Sequence, residues 1–375
     1  MIYLDYSATT PVHPDVLKSF DQTCLNYIGN PNSLHRLGIE AKHLADQATK
    51  QIESLLGLTD HEVIYTSGAS ESNNLAIKGV CLRYQNRGKH ILTTALEHSS
   101  VIGPLQYLQK QGFEVEFIPL LDSGQVDIEA FKQMLRDDTI LVSVCSVDSE
   151  LGTRQPVETL AKILKDYPKC TFHVDMTQSI GKVPITIQDI DLISFSAHKF
   201  YGLRGVGCLL RRKNLLIEPL IHGGKSTTAF RSGTPPLALI VSTAKALRLI
   251  SEDLETHMIE IQRKKDRISQ ELSTYPMVRI NSTNFSIPHI LNFSLLSIKP
   301  ETFVHALEEH EVYLSTKSAC SSSNGASSSV LAITKDEQRA SSSLRISLSY
   351  LTTEEEITKF LAIFQQCYRQ LNLKE

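Results

Sequence analysis

A lysine stands at the end of residues 194–199, which read Ser-Phe-Ser-Ala-His-Lys and close an apolar run typical of a buried strand. An amine at the exit of such a strand is partly withdrawn from water, which lowers its pKa and favours a Schiff base with an aldehyde cofactor. Ser196 and His198 stand beside Lys199 as small donors for a phosphate group. A lysine at a strand end is more often a solvated surface residue, so other residues have to support this interpretation.

Residues 66–71, Thr-Ser-Gly-Ala-Ser-Glu, lie between a predicted strand and a predicted helix. Small side chains let backbone N–H groups approach a ligand there, and the partial positive charge of a helix N-terminus favours a phosphate. An ordinary helix cap by Ser67 or Ser70, with Gly68 forming the turn, explains the same residues equally well.

A carboxylate, Asp175, ends a predicted buried strand and is followed three residues later by Gln178. An unpaired buried carboxylate is costly, and the protonated nitrogen of a pyridinium cofactor is one partner that would offset the cost. The alternative is an aspartate that caps the next helix. Because Asp175 and Lys199 end two predicted strands, we expect them at the same edge of the sheet, where α/β folds bind ligands.

Three further side chains have types suited to this chemistry. His98 follows a strand and could cover a ring or move protons near neutral pH, although a lone histidine at such a turn is more often structural. Arg345, inside a predicted strand, needs an anionic partner, for which a substrate carboxylate would serve. Cys320 lies in the serine-rich segment 315–329, where Lys317 would favour its thiolate; a polar linker that contains a cysteine by chance is the alternative.

The elements that position these residues alternate across residues 14–255, where short apolar runs and longer amphipathic segments are typical of a sheet covered by helices. The predicted strands are 62–65, 90–93, 114–118, 140–145, 171–174, 191–195 and 205–210. The predicted helices are 71–83, 99–111, 128–136 and 157–165. We therefore predict an α/β fold with a mainly parallel sheet.

The pattern changes after residue 235. There we predict a long helical segment and then mixed elements, at residues 238–272, 278–280, 289–293, 301–309 and 344–348. A closing helix begins at Thr352-Thr353-Glu354-Glu355, where a threonine and acidic residues suit a helix start. We predict a large domain over residues 14–255 and a smaller α+β domain formed by residues 1–13 and 256–375, which would carry Cys320.

Composition narrows the class of protein. The chain has 375 residues, 41% hydrophobic and 21% charged, with a net charge of −3, and gives no reason to expect a nucleic-acid surface. The N-terminus lacks the features of a signal peptide, and no run reaches the roughly 18 apolar residues that span a bilayer, so we expect a cytoplasmic protein without membrane contact. Seven cysteines without a CxxC pair argue against a disulfide framework and a zinc site.

Several longer motifs occur in one order along the chain: Tyr3-Leu4-Asp5-Tyr6-Ser7-Ala8-Thr9-Thr10-Pro11, Gly29-Asn30-Pro31-Asn32-Ser33, residues 66–71, Glu97-His98, His173-Val174-Asp175-Met176-Thr177-Gln178, Ser196-Ala197-His198-Lys199, Arg231-Ser232-Gly233-Thr234 and Ser318-Ala319-Cys320. Together they resemble the cysteine desulfurases of the NifS/IscS type, which are class-V aminotransferase relatives of fold type I that use pyridoxal 5'-phosphate. The resemblance covers essentially the whole chain, and so many motifs in one order are highly specific.

The resemblance implies a role for each matching residue. Lys199 would form the Schiff base with pyridoxal 5'-phosphate, and Asp175 would pair with its ring nitrogen. Gln178 would bind the ring hydroxyl, and His98 would stack on the ring. The residues implied for the phosphate are Ala69, Ser70, Ser196 and His198, with Thr234 reaching across from the neighbouring subunit of a homodimer. The residues implied for the substrate L-cysteine are Arg345, Asn30 and Ser149, the last of which would also touch the cofactor.

The implied reaction converts L-cysteine to L-alanine. Lys199 would remove the Cα proton, and the thiolate of Cys320 would attack the substrate sulfur and keep it as a persulfide. A sulfur acceptor protein would then take the sulfur for iron-sulfur cluster assembly or tRNA thiolation. The long segment around Cys320 resembles the branch of the family that serves several acceptors.

One departure from the family pattern is Asp148-Ser149-Glu150 before Leu151-Gly152, where the family usually has Asn-Asn-Glu. Ser149 is shorter than asparagine, and Asp148 would repel an anionic substrate if it pointed inward, so we hypothesise an altered grip on the substrate. Two alternatives stay open at this point: another fold-type-I enzyme, such as an aminotransferase or selenocysteine lyase, and a non-catalytic homologue that acts as a scaffold.

Overall fold

The structure is a computed structural model that describes residues 1–224, 226–316 and 326–372. Its strands, in chain order, are β1 (Ile2–Tyr3), β2 (His61–Thr66), β3 (His90–Thr93), β4 (Glu114–Phe117), β5 (Thr139–Cys145), β6 (Thr171–Asp175), β7 (Leu192–Ser196), β8 (Gly207–Arg212), β9 (Val278–Ile280), β10 (Ile290–Leu295), β11 (Val312–Tyr313) and β12 (Ser343–Ser347). Its helices are α1 (Pro14–Asn26), α2 (Arg36–Leu55), α3 (Ala69–Tyr84), α4 (Ser99–Lys110), α5 (Ile128–Met134), α6 (Val157–Leu164), α7 (Leu237–Glu252), α8 (Leu254–Leu272), α9 (Pro300–Glu308), α10 (Ser328–Thr334), α11 (Glu337–Ser341) and α12 (Glu354–Asn372).

The main sheet has the strand order β2-β8-β7-β6-β5-β3-β4. Strands β3 to β7 pair in parallel, and only β8 runs antiparallel to its neighbours β2 and β7 within this sheet. All seven residues of β5 are buried, because Leu141 packs in one hydrophobic core and Val142 and Val144 pack in the other. A strand covered on both faces needs no polar alternation, which is why its sequence is a continuous apolar run. The predicted α/β fold with a mainly parallel sheet is confirmed.

The predicted strands and helices of residues 14–255 are confirmed, with ends that differ by no more than two residues. The exception is the segment 238–272, predicted as one helical segment, which is two helices separated at Asp253. The backbone of Asp253 has φ −124° and ψ 25°, outside the helical region. Aspartate competes poorly as a helix-interior residue, because its side chain can bind nearby backbone groups in other conformations.

Helices α1 and α2 were not predicted individually. Each begins after a histidine whose Nδ1 accepts a backbone N–H: His13 from Asp15 at 3.1 Å, and His35 from Gly38 at 3.3 Å. Histidine is not among the usual capping residues, so the sequence signals used for helix starts do not mark these two.

A second body of structure lies around the sheet β12-β10-β9, which is antiparallel, and the parallel pair β1-β11. Leu4 from the N-terminus shares its hydrophobic core with Phe293, Phe303 and Phe364. Helix α12 begins with a reciprocal cap, in which Thr353 Oγ1 accepts the Glu356 N–H at 3.1 Å and Glu356 accepts the Thr353 N–H at 2.8 Å. The predicted helix start at residues 352–355 is therefore confirmed, while the exact domain boundaries stay a prediction.

Among the described residues, no helix combines the length and the apolar composition that crossing a bilayer requires.

Candidate active site

The parallel strands β6 and β7 end at the same sheet edge, as predicted, and a cavity of about 410 Å³ opens there. This volume is in the range of sites for small ligands and cofactors. The structure brings most of the predicted site residues to its lining, namely Ala69, Ser70, His98, Ser149, Asp175, Gln178, Ser196, His198, Lys199 and Arg345. Residues from the whole length of the chain therefore meet at one edge of the main sheet.

Lys199 occupies the last position of the short 3-10 turn Ala197–Lys199 that follows β7. Its Nζ donates to the carbonyl oxygens of Ser7, at 2.7 Å, and Ala8, at 2.8 Å. The N-terminal segment therefore fixes the position of the amine at the cavity wall.

Asp175 ends β6 and is only 6% exposed. One carboxylate oxygen accepts from Asn73 Nδ2 at 2.8 Å, and the other accepts from the Thr177 N–H at 2.9 Å. No α-helix follows Asp175 directly, so the helix-capping alternative is wrong. The carboxylate remains on the cavity lining with neutral hydrogen-bond donors behind it.

The N-terminus of α3 faces the cavity without a side-chain cap, since Gly68 holds the cap position. The cap by Ser67 or Ser70 that the sequence allowed is therefore wrong. The Ala69 N–H donates to Ser196 Oγ at 2.6 Å, which joins the helix start to the end of β7. A Cβ on Gly207 would lie 2.6 Å from Gly68, so glycine is required for this close approach. Backbone and hydroxyl donors at a helix N-terminus suit a phosphate.

His98 has a structural role, and it also lies where the predicted functional role would place it. Its Nδ1 caps α4 by accepting the Ser100 N–H at 3.1 Å, and the ring also lines the cavity. Burial lowers the pKa of His98, so the ring is neutral near pH 7. A neutral imidazole that accepts at Nδ1 carries its proton on Nε2. Burial also lowers the pKa of His198, to about 4, so this ring is neutral as well.

Arg345 on β12 is 2% exposed, and the expectation that it needs an anionic partner is confirmed. The partner in the structure is Asp5, whose carboxylate accepts from Arg345 Nη2 at 2.7 Å. Nη1 donates to the carbonyl oxygen of Ser149 at 2.9 Å. The buried Nε has no hydrogen-bond partner among the described residues. Arg345 lines the cavity, and its role toward a substrate carboxylate stays a prediction.

The side chain of Asp148 does not line the cavity, which corrects the repulsion considered for an inward-pointing carboxylate. It accepts from the N–H groups of Glu150 and Leu151 and from Ser329 Oγ, the last at 2.9 Å. Glu150 likewise accepts from Ser327 Oγ. The two carboxylates thus bind the start of α10, and Ser149 between them lines the cavity.

The Asp148→Asn variant is expected to remove a pH dependence of stability. Burial, with repulsion from Glu150, raises the pKa of Asp148 from 3.8 to about 7, so the folded protein binds a proton that the unfolded chain releases. This contribution to stability is complete below about pH 4 and is lost as the pH rises through about 7. Between about pH 4 and about pH 7, the free energy of unfolding of the wild type should fall by up to about 4 kcal/mol relative to that of the variant.

Denaturant unfolding of both proteins at pH 5 and pH 8 measures this difference. Asp21→Asn, at an exposed position on α1, is the matched control and should follow the wild type. Parallel pH profiles of Asp148→Asn and the wild type would contradict the expectation.

Two predicted residues lie outside this cavity, and a third is not among the described residues. Asn30 and Thr234 line a separate cleft with Tyr27 and Ile28, so a single chain does not bring them to the main cavity, and their roles stay predictions. Cys320 lies outside the described residues.

Sequence reasoning missed Asp5, Asn73 and Lys182 as parts of the site. Asp5 belongs to a motif that was noted, but its partner Arg345 is 340 residues away. Lys182 follows Gln178 by four residues, and its Nζ donates to Gln178 Oε1. The one available indication is that Asp5 and Arg345 are opposite charges, each within an apolar segment of the sequence, which favours a contact between them.

The residues present fit pyridoxal 5'-phosphate. Ser7 Oγ and Thr177 Oγ1 are buried polar atoms on the cavity residues that lack a partner in the described part of the chain. Buried hydroxyls of this kind ordinarily bind a ligand or water. The uncapped α3 N-terminus suits the phosphate, the Asp175 carboxylate suits a protonated ring nitrogen, and the Lys199 amine suits an aldehyde.

Comparisons with known proteins show the family of the chain. The family model described as Aminotransferase class-V matches residues 2–360. A protein named cysteine desulfurase IscS from Dictyoglomus turgidum is 37% identical over 375 residues, covering 99% of this chain and 95% of that protein. A solved structure titled NIFS-like protein has a TM-score of 0.92 at 33% identity, with 99% of both chains covered. Another, titled SspA in complex with cysteine, has a TM-score of 0.81 at 30% identity, covering 94% of this chain and all of that one.

Proposed function

Because the chain belongs to the class-V aminotransferase family, as a pyridoxal-phosphate-dependent cysteine desulfurase, we propose that its described cavity converts L-cysteine to L-alanine and that Cys320 receives the sulfur. The observation that supports this most strongly is the meeting of Lys199, Asp175 and Arg345 at one sheet edge. An amine, a carboxylate and a guanidinium at this edge match the aldehyde, the ring nitrogen and the substrate carboxylate.

When bound, pyridoxal phosphate supplies an aldehyde and a protonated ring that takes up electrons from the substrate Cα. Asp175 would keep the proton on the ring nitrogen, and the neutral ring of His98 would cover the cofactor without adding charge. Lys199, after release from the aldehyde by the substrate amine, would take the Cα proton. The thiolate of Cys320 would then form a bond to the substrate sulfur as the bond between that sulfur and Cβ breaks.

Arg345 would bind the substrate carboxylate while it is held between Asp5 and Ser149. Because two of its nitrogens already have partners, the guanidinium is oriented before the substrate arrives. Such preorganisation lowers the entropic cost of binding. Ser149, which is shorter than the family asparagine, would leave part of the carboxylate without a side-chain donor.

The homodimer, the acceptor protein and the cytoplasmic location are parts of the same proposal. Thr234 would reach the cofactor phosphate of the neighbouring subunit, and exposed apolar side chains beside it, Tyr27 and Ile28, are suited to a subunit interface. The acceptor would collect sulfur from Cys320 for iron-sulfur cluster assembly or tRNA thiolation.

The test is incubation of the purified protein with pyridoxal phosphate and L-cysteine, followed by measurement of the cofactor absorbance band, alanine, and persulfide by mass spectrometry. We expect a visible band, alanine, and one labelled peptide that contains Cys320. A colourless protein that does not take up the cofactor would favour the alternative of a non-catalytic homologue that acts as a scaffold. Transfer of the substrate amino group without sulfur release would favour an aminotransferase, and activity confined to selenocysteine would favour a selenocysteine lyase.

The Ser149→Asn variant is expected to bind L-cysteine more tightly. The longer amide adds one hydrogen-bond donor toward the substrate carboxylate, worth about 1 kcal/mol, so KM should fall about 5-fold. Steady-state kinetics measure the effect, with Ser149→Ala as the control, which should show no such fall. Unchanged cysteine affinity and turnover in Ser149→Asn would contradict the hypothesis.

A further inference from the structure

Lys182 is a second lysine close to the candidate site, and it is only 5% exposed. Lysine is seldom buried so fully, because an ammonium group removed from water requires a partner. The partner is Gln178, whose Oε1 accepts from Lys182 Nζ. Neither residue is part of a helix or strand, so this contact connects two points of the irregular segment that follows β6.

The amide of Gln178 has a fixed orientation. Its Nε2 donates to the Ser7 carbonyl oxygen at 3.0 Å, and this oxygen can only accept. Lys182 donates to the amide oxygen on the other side, and it retains N–H donors whether or not it is charged. Rotation of the amide by 180° would break both contacts, so the second N–H of Gln178 is left for the cavity that the residue lines.

The surroundings of Lys182 are basic. Burial, and then the charges of Lys199 and Arg345, lower the pKa of Lys182 well below its ordinary value. A small adjoining cavity is lined by Lys182 and Lys199 together with His257 and His289. These neighbours disfavour the charged form of the Lys182 amine, which keeps its N–H donors when it is neutral.

We propose that Lys182 is a positioning residue, which holds the Gln178 amide so that an N–H faces the ring hydroxyl of bound pyridoxal phosphate. The proposal rests on the proposed function, since it assumes the cofactor in the described cavity. A donor aimed at the ring oxygen favours its ionised form and weakens its hold on the proton shared with the Lys199 nitrogen. Without Lys182 the amide keeps only its contact with the Ser7 carbonyl oxygen, so its N–H is held less firmly toward the ring oxygen and the ionised form loses support.

The test is a pH titration of the cofactor absorbance band in the holoenzyme of Lys182→Met. We expect the pKa of the band to rise by about one pH unit, the size of one hydrogen bond to an ionised group. The matched control is Lys169→Met, at an exposed position, which should titrate as the wild type does. In a protein that already carries Gln178→Leu, adding Lys182→Met should shift the pKa of the band by no more than about a third of the shift that Lys182→Met causes alone.

The proposal would be overturned if the pKa of the cofactor band were unchanged in a folded Lys182→Met holoenzyme. It would also be overturned if Lys182→Met shifted this pKa as much in the Gln178→Leu protein as it does alone. If Lys182→Met does not fold, Lys182→Leu takes its place, because it also removes the N–H donors; a shift of the same sign supports the proposal and none overturns it. Failure of the proposed function itself is distinguishable, because the wild type would then form no cofactor band.

Discussion

The Cys320→Ala variant is expected to lose alanine formation from L-cysteine by a factor of at least about 10³, because no other described thiol can replace the nucleophile. Cys81, Cys145, Cys170 and Cys208 are buried, and burial raises the pKa of each, so they supply almost no thiolate near neutral pH. The pKa of Cys367 is also raised by burial.

Cys24 is the matched control for this experiment. It is exposed on α1 and lines the cleft beside Asn30 rather than the main cavity. Cys24→Ala should retain wild-type rates of alanine formation and persulfide labelling. If Cys320→Ala kept its turnover, the sulfur would not pass through Cys320, and the aminotransferase and lyase alternatives would gain support.

The Lys199→Ala variant is expected to lose the covalent cofactor band together with at least about 10³-fold in turnover, since the amine both holds the aldehyde and moves the Cα proton. The same change removes two hydrogen bonds to the carbonyl oxygens of Ser7 and Ala8. A loss of about 1 to 3 kcal/mol in the free energy of unfolding should accompany it.

Lys199→Arg separates these two effects. The guanidinium can donate to both carbonyl oxygens but cannot be deprotonated for chemistry in a protein. We expect near wild-type stability in denaturant unfolding, with turnover as low as in Lys199→Ala. Recovery of turnover in Lys199→Arg would show that the lysine matters only for the position of the N-terminal segment.

The positions that the sequence predicted well are those governed by a local rule. Buried parallel strands are continuous apolar runs, so the ends of β6 and β7 could be found, and with them Asp175 and Lys199. Their convergence follows from parallel pairing, because the carboxyl ends of parallel strands share one edge.

Features that depend on distant residues could not be predicted in this way. The Asp148 side chain accepts from two nearby N–H groups, but also from Ser329, which is 181 residues away. The break at Asp253 separates α7, which packs against α1 and α2, from α8, which packs against α12 and β10, while a helical pattern of residues continues through it. The charge of Arg345 in an apolar strand suggested a substrate carboxylate as its partner, and the family resemblance implied the same role, but only the folded structure shows Asp5 as its ion partner.

The contacts of Arg345 have a consequence for biosynthesis. The guanidinium of Arg345, on β12, joins Asp5, which precedes the main sheet in the sequence, to Ser149, which lies between β5 and β6. Domains fold progressively as the chain emerges from the ribosome. The main sheet can therefore form before β12 has been synthesised. The contacts of Arg345 with Asp5 and Ser149 cannot form until β12 is present. A nascent chain that already contains Lys199 thus lacks the guanidinium that we propose binds the carboxylate of L-cysteine.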